Sequence, residues 1–186
     1  MKFEVILFSA LMSAVSFSWA DSIDFSLSND SVRAELSGEL TNKRLNYTVG
    51  ALHNETHGDV GSVGLQVSDR LKASTGALTA AVGGKFVGFD ADHGPDGSAF
   101  AIGGYLQQHF DAANLVTVRG DFYYAPRVVS WGKAEHYAEL GLRLEYRLVD
   151  QAIVYLGFRK IQAEFKNISS DMVFDESGHL GLQLFF

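Results

Sequence analysis

The carboxy-terminal residues alternate strictly between large apolar side chains and small or polar ones. The apolar positions are Leu180, Leu182, Leu184 and Phe186, and the other face carries His179, Gly181 and Gln183. A period of two residues is that of a β-strand, and it places the four apolar groups on one face. The segment is therefore predicted to be a strand that stays apolar on one side to its last residue.

The same period recurs along the chain after residue 20. Its clearest instance is 136–148, where every second residue from Ala138 to Leu148 is apolar or aromatic and the residues between are charged, polar or glycine. Weaker instances lie at 44–51, 63–68, 78–86, 100–110, 116–124 and 154–159, and two short amphipathic segments precede them at 23–27 and 32–36. Together with the terminal strand they predict ten strands. Eight strands with a loose amino-terminal segment is the alternative.

The sequence after residue 20 has no run that approaches 18 consecutive apolar residues, so it predicts no membrane-spanning helix. A membrane protein without such helices must be a closed barrel, because only helices and closed barrels satisfy every backbone polar group in lipid. A soluble lipocalin-like barrel also alternates, but with its apolar face inside. The apolar terminal strand, the aromatic residues near strand ends and the rarity of charge on the apolar face favour lipid outside. The predicted fold class is all-β, a closed antiparallel up-and-down transmembrane β-barrel.

Residues 1–20 have the organisation of a secretory signal peptide. Lys2 precedes an apolar run, and Ser18-Trp19-Ala20 supplies a small-residue cleavage site. An amino-terminal membrane anchor is the alternative, although a spanning helix needs about 20 apolar residues. We therefore expect a cleaved signal peptide at 1–20, a single transmembrane barrel domain at 21–186, and a location in the bacterial outer membrane.

The composition of the chain excludes some classes of partner and chemistry. The net charge of -7 argues against nucleic acid, and the absence of cysteine excludes a disulfide framework and thiolate chemistry. The expected partners are outer-membrane lipid and the barrel-assembly machinery, with a small solute as a further one. The assembly signal is expected on the terminal strand, at Leu180, Leu182, Leu184 and Phe186. No cofactor and no metal site are expected.

Seven charged residues fall on the polar face of three consecutive predicted strands: Arg119, Asp121, Glu139, Arg143, Glu145, Arg147 and Arg159. Small barrels fill their interior with side chains, and buried charges need partners. The favoured interpretation is therefore a salt network that fills a narrow lumen, so that removing its arginines together would open a passage. A charged constriction that selects solutes and an acid/base pair are the alternatives.

A hydrolase at the rim of the barrel is the main alternative function. Ser130 and Glu135 in a predicted loop lie close in sequence to His136 and Glu139 at the start of the next predicted strand, and these four supply the residue types of a nucleophile, an acid and a base. The chain has no Gly-x-Ser-x-Gly nucleophile elbow, so no catalytic residue is predicted. Surface binding through the longer polar segments is the third candidate; these segments lie at 54–59, 89–97, 125–135 and 165–176.

Several short motifs resemble those of the YfaZ-type outer-membrane proteins. The motifs are Phe122-Tyr-Tyr-Ala-Pro126, His136-Tyr-Ala-Glu139, Gly141-Leu-Arg-Leu-Glu-Tyr146, Ser62-Val-Gly-Leu65 and Val82-Gly-Gly-Lys85. The resemblance extends over the chain after residue 20 and is clearer after residue 60. It implies a small outer-membrane barrel of undefined activity, structural or narrow-pore in type, and it brings no catalytic residues.

Overall fold

The computed structural model describes residues 21–40, 44–72, 77–92, 95–110, 115–166 and 171–186. The predicted signal peptide lies outside these residues. The strands are β1 (Ser22–Leu27), β2 (Ser31–Leu40), β3 (Leu45–Asn54), β4 (Gly58–Lys72), β5 (Ala77–Asp90), β6 (Gly97–His109), β7 (Val116–Ala125), β8 (Ser130–Gly132), β9 (Ala134–Val149), β10 (Ala152–Phe165) and β11 (Met172–Phe185). A short 3-10 turn, Arg127–Val129, precedes β8. None of the described segments forms a helix with the length and apolar character needed to cross a bilayer.

Ten of the described strands close into an antiparallel barrel. Strands β1 to β7 pair in chain order, β7 pairs with β9, and β11 pairs with both β10 and β1. The short β8 pairs with the start of β6 and does not take part in the ring. The prediction of a closed ten-strand barrel is confirmed. The eight-strand alternative is wrong, because β1 and β2 pair with each other and complete the ring.

The two ends of the barrel differ. Asp21 and Phe186 lie at one end, where the Phe186 N–H donates to the Asp21 carbonyl (3.1 Å); we call this the terminal end and the opposite one the loop end. The connections at the loop end are shorter than predicted: three residues join β3 to β4, and β11 already begins at Met172. The pairing register between β10 and β11 shifts between Ile161 and Gln162. Such an irregularity interrupts the alternation of inward and outward residues in β11. The first part of this strand was therefore not recognised from the sequence pattern.

Large apolar side chains cover the outside of the barrel. Leu142 is 56% exposed and Leu180 is 63% exposed, whereas the residues that alternate with them point into the lumen. On the terminal strand, Leu182 stands opposite Phe25 of β1 and Val154 of β10. The predicted assembly residues thus belong to the strand that closes the ring, and their apolar face is turned to the lipid side.

The loop half of the lumen is a dry apolar core. The Phe89 ring packs against Tyr137, Phe165 and Phe174, with ring centroids 5.9, 5.6 and 5.4 Å away. We call these four residues the apolar plug, and each is at most 4% exposed. Small residues on facing strands make room for the rings: a Cβ on Gly97 would lie 2.7 Å from Phe89. The plug fills the lumen because aromatic and small residues face each other.

Candidate functional site: the charged layer and the terminal cup

A layer of ion pairs crosses the lumen below the apolar plug, and Glu139 lies at its centre. Glu139 is 3% exposed and accepts hydrogen bonds from Lys85, from Arg33 (3.4 Å) and from the Tyr137 hydroxyl (2.8 Å). Arg33 also pairs with Glu35 (2.6 Å). Because Tyr137 belongs to both groups, its hydroxyl joins the apolar plug to the charged layer.

Arg143 is held from three sides. Its guanidinium contacts Glu145 (2.5 Å) and Asp24 (3.0 Å), and it lies 4.8 Å from the centre of the Tyr155 ring. The Tyr155 hydroxyl donates to Asp24 as well. Strands β1, β9 and β10 are thereby linked through the lumen.

Arg159 has its own carboxylate on the next strand. It pairs with Asp175 at 2.6 Å and donates to the hydroxyls of Ser26 (3.2 Å) and Ser31 (3.4 Å). The sequence suggests a carboxylate among Asp121, Glu139 and Glu145 for this arginine; the structure supplies Asp175 instead, because β11 extends further towards the loop end than predicted.

Two of the seven predicted lumen residues are less firmly held. Arg119 reaches Asp121 only at 3.9 Å, and its guanidinium lies 3.8 Å from the centre of the Tyr105 ring. Arg147 lies nearer the terminal end of β9, where it donates to the Asp150 carbonyl (3.4 Å). The structure therefore brings Arg119, Asp121, Glu139, Arg143, Glu145 and Arg159 into the layer and leaves Arg147 beside it.

The layer also contains charged residues that the sequence analysis did not single out: Asp24, Arg33, Glu35, Lys85 and Asp175. Arg33 and Glu35 alternate with the apolar residues of β2, and Lys85 lies opposite the apolar face of β5. Alternation could thus have found these three. Asp175 could not be found in this way, since it was predicted to lie in a loop.

Inward-facing glycines accommodate the larger side chains of the layer. A Cβ on Gly181 would collide with the Tyr155 ring, and one on Gly141 would collide with the Asp121 carboxylate. A Cβ on Gly157 would lie 2.5 Å from the His179 ring. Each of these glycines thus leaves the space in which a neighbouring strand places a polar group.

Below the charged layer the lumen widens into a polar cavity of about 660 Å³ that extends to the terminal end. We call it the terminal cup. Asp21, Glu39 and Phe186 lie at the chain ends or strand ends around it, and Asn46, Thr48, Gln66, Ser68, Thr79 and Gln183 are among the polar residues that line it. Arg119 and Arg143 of the charged layer contribute to its lining as well.

The charged layer itself encloses a much smaller space, about 60 Å³. A volume of that size holds a few water molecules, since one needs about 10–15 Å³. The described part of the lumen therefore has three zones along its axis: an open polar cup, a layer of ion pairs with little free space, and a dry apolar plug.

The residues considered for the alternative rim hydrolase have separate partners. Ser130 donates to the Pro126 carbonyl (3.1 Å), while His136 stacks on Tyr124 and bonds its hydroxyl (3.1 Å). Glu135 pairs with Arg127 (3.2 Å). This geometry holds a turn together, and within the described ranges the hydroxyl that is hydrogen-bonded to the His136 imidazole is that of Tyr124. Among the described residues, no group of three or more histidines and carboxylates is placed to hold a metal ion.

Comparison with known proteins agrees with this architecture. A family model described as "YfaZ precursor" matches residues 1–186. The chain is similar to the outer membrane protein YfaZ of Escherichia coli (strain K12), with 31% identity over 134 residues, which covers 72% of this chain and 71% of the relative. No solved structure matches the chain.

Proposed function

The chain belongs to the YfaZ family of outer-membrane proteins, and from that premise we propose that it is a closed barrel that does not conduct solutes. The observation that carries this proposal is the stacking of two different seals across one lumen. A solute would have to separate the ion pairs of the charged layer and also displace the aromatic rings of the apolar plug. An even number of strands returns both chain ends to the periplasmic side, so the terminal cup faces the periplasm.

The energetic cost of opening supports a closed state. Removing one partner of a buried ion pair costs about 3–5 kcal/mol, and deleting a buried phenylalanine side chain costs about 3–5 kcal/mol. Glu139 and Phe89 are 3% and 4% exposed, so the full range applies to both. A spontaneous passage has to disturb both seals, and we expect its population to be small.

A narrow pore and a rim hydrolase receive less support. A pore needs a continuous polar path, whereas the loop half of the lumen is apolar and buried. A hydrolase needs a nucleophile bonded to its base, whereas Ser130 bonds a backbone carbonyl.

Cysteine accessibility compares the terminal cup with the loop half of the lumen, because the chain has no cysteine of its own. Thr79 lines the terminal cup, and Ala101 is fully buried beside the plug. We expect Thr79→Cys to react with a small membrane-impermeant thiol reagent and Ala101→Cys to react only after unfolding. Rapid labelling of Ala101→Cys in the folded barrel would contradict a sealed loop half.

Planar-bilayer recording gives the complementary measurement. We expect small or absent conductance for the wild type. If the charged layer were the only seal, replacing Arg119, Arg143 and Arg159 together with alanine would open a passage. Because the apolar plug is a second seal, we expect this triple variant to stay closed. Large and stable wild-type channels would refute the proposal.

A further inference from the structure

Arg119 differs from the other arginines of the charged layer. Arg33, Arg143 and Arg159 each have a carboxylate within 2.6 Å. Arg119 has its ion pair only at 3.9 Å. The side chain is 20% exposed and lines the terminal cup. It therefore presents a weakly paired guanidinium to the cavity of the terminal cup.

The Tyr105 ring holds this guanidinium in place. The two groups stack with 3.8 Å between the guanidinium carbon and the ring centre, so the ring covers a face of the guanidinium rather than its N–H edge. A planar guanidinium in a fixed orientation is well suited to bind a carboxylate through two parallel hydrogen bonds.

The other charges of the cup are already paired or lie in water. Asp24 pairs with Arg143, which also pairs with Glu145, and Glu35 pairs with Arg33. Asp21 and Glu39 are exposed at the rim, where solvent and salt screen them. Thus Arg119 is the cup-lining arginine with the longest ion pair, and the acidic rim disfavours anions of high charge.

We propose that the terminal cup binds a small hydroxylated monocarboxylate, with its carboxylate on Arg119. The cavity of about 660 Å³ lies within the range of about 300–1,000 Å³ that is typical of small-molecule sites. Hydroxyl and amide groups of Thr48, Thr79 and Asn46 line its wall and can bond the hydroxyls of the ligand. The proposal concerns binding from the terminal end and does not require passage through the barrel.

Three sugars of similar size and different charge test how the charge of the ligand affects binding. Glucuronate carries the carboxylate, glucose is neutral and glucosamine is cationic. Isothermal titration of the folded barrel in detergent micelles should show saturable binding of glucuronate, weaker binding of glucose and the weakest binding of glucosamine. Absence of saturable glucuronate binding overturns the proposal, and so does glucosamine binding that equals or exceeds it, since the rim carboxylates would then dominate.

Variants of Arg119 test whether this residue binds the carboxylate of the ligand. Arg119→Gln should weaken glucuronate binding about tenfold or more, since a charge-assisted pair accounts for about one order of magnitude in Kd, and glucose binding should change little. Arg119→Lys keeps the charge and loses the planar fork; it should fold if the Gln variant does not, and it should still bind glucuronate more weakly than the wild type. The control is Arg127→Gln at the loop end, where the arginine is 64% exposed and pairs with Glu135. Equal losses in the Arg119 and Arg127 variants, or unchanged binding in both Arg119 variants, would refute the assignment.

Discussion

Replacing Glu139 with glutamine tests how far the charged layer stabilises the barrel. Among the described residues, Lys85 has Glu139 as its carboxylate partner, and the Lys85 side chain is 6% exposed. Leaving a buried charge without its partner costs about 3–5 kcal/mol. The Lys85 ammonium also lies 4.1 Å from the centre of the Tyr123 ring, and a desolvated cation–π contact offsets about 1–2 kcal/mol of this. We expect the free energy of unfolding to fall by about 1–4 kcal/mol.

Replacing the lysine of the pair should lower the free energy of unfolding by less than replacing Glu139 does. In Lys85→Met, Glu139 keeps its hydrogen bonds from Arg33 and Tyr137, so the loss should be about 1–2 kcal/mol. The double variant should lose clearly less than the sum of the two single losses, because it leaves no uncompensated lysine in the lumen. This asymmetry follows from the number of partners that each group retains.

A matched pair on the outer surface serves as the control. Lys160 and Glu176 also bridge two strands, at 2.8 Å, but their side chains are 36% and 47% exposed. Lys160→Met and Glu176→Gln should each change stability by about 0–1 kcal/mol. The assay is reversible urea unfolding in lipid vesicles, followed by Trp131 fluorescence and by heat-modifiable migration on gels. A Glu139→Gln loss no larger than that of the control, or strict additivity in the Lys85–Glu139 cycle, would refute the reasoning.

Two further predictions concern the terminal strand. Leu182→Arg places a charge on the lipid face and should destabilise the barrel by about 2–4 kcal/mol if the site lies near mid-bilayer, whereas Gln183→Arg on the lumen face should be tolerated. The measurement is the fraction of each variant that shows heat-modifiable migration in the outer-membrane fraction, and normal assembly of the Leu182 variant would contradict the assignment of that face to lipid. Gly181→Ala should lower the free energy of unfolding by about 1–3 kcal/mol because the added methyl group collides with Tyr155. Gly88→Ala should be nearly neutral, since nothing lies within 4 Å of its added Cβ. The urea midpoints of the two variants test this, and equal midpoints would contradict the packing argument.

The sequence by itself determined the class of fold and the facing of its strands. Alternation at 136–148 and at the terminal strand is a local property, because neighbouring residues of a strand point to opposite faces. It therefore predicted the ten strands, the lipid-facing leucines and the lumen positions of Glu139 and Arg143 without any knowledge of partners. The motifs that resemble YfaZ proteins indicated the same architecture.

Which lumen residues meet was decided by the closed tertiary structure. Glu139 pairs with Lys85 from across the barrel and Arg143 with Asp24, because closing the ring brings strands that are distant in sequence to a common axis. The plug was missed for a related reason. Phe89 and Phe165 lie on the lumen face of their strands, where Val87 and Ile161 are buried as well, but nothing local shows that these residues pack against one another. Their rings meet only when the barrel closes and small residues such as Gly97 leave the space that they fill, so the sealed loop half is a property of packing across the lumen rather than of any one strand.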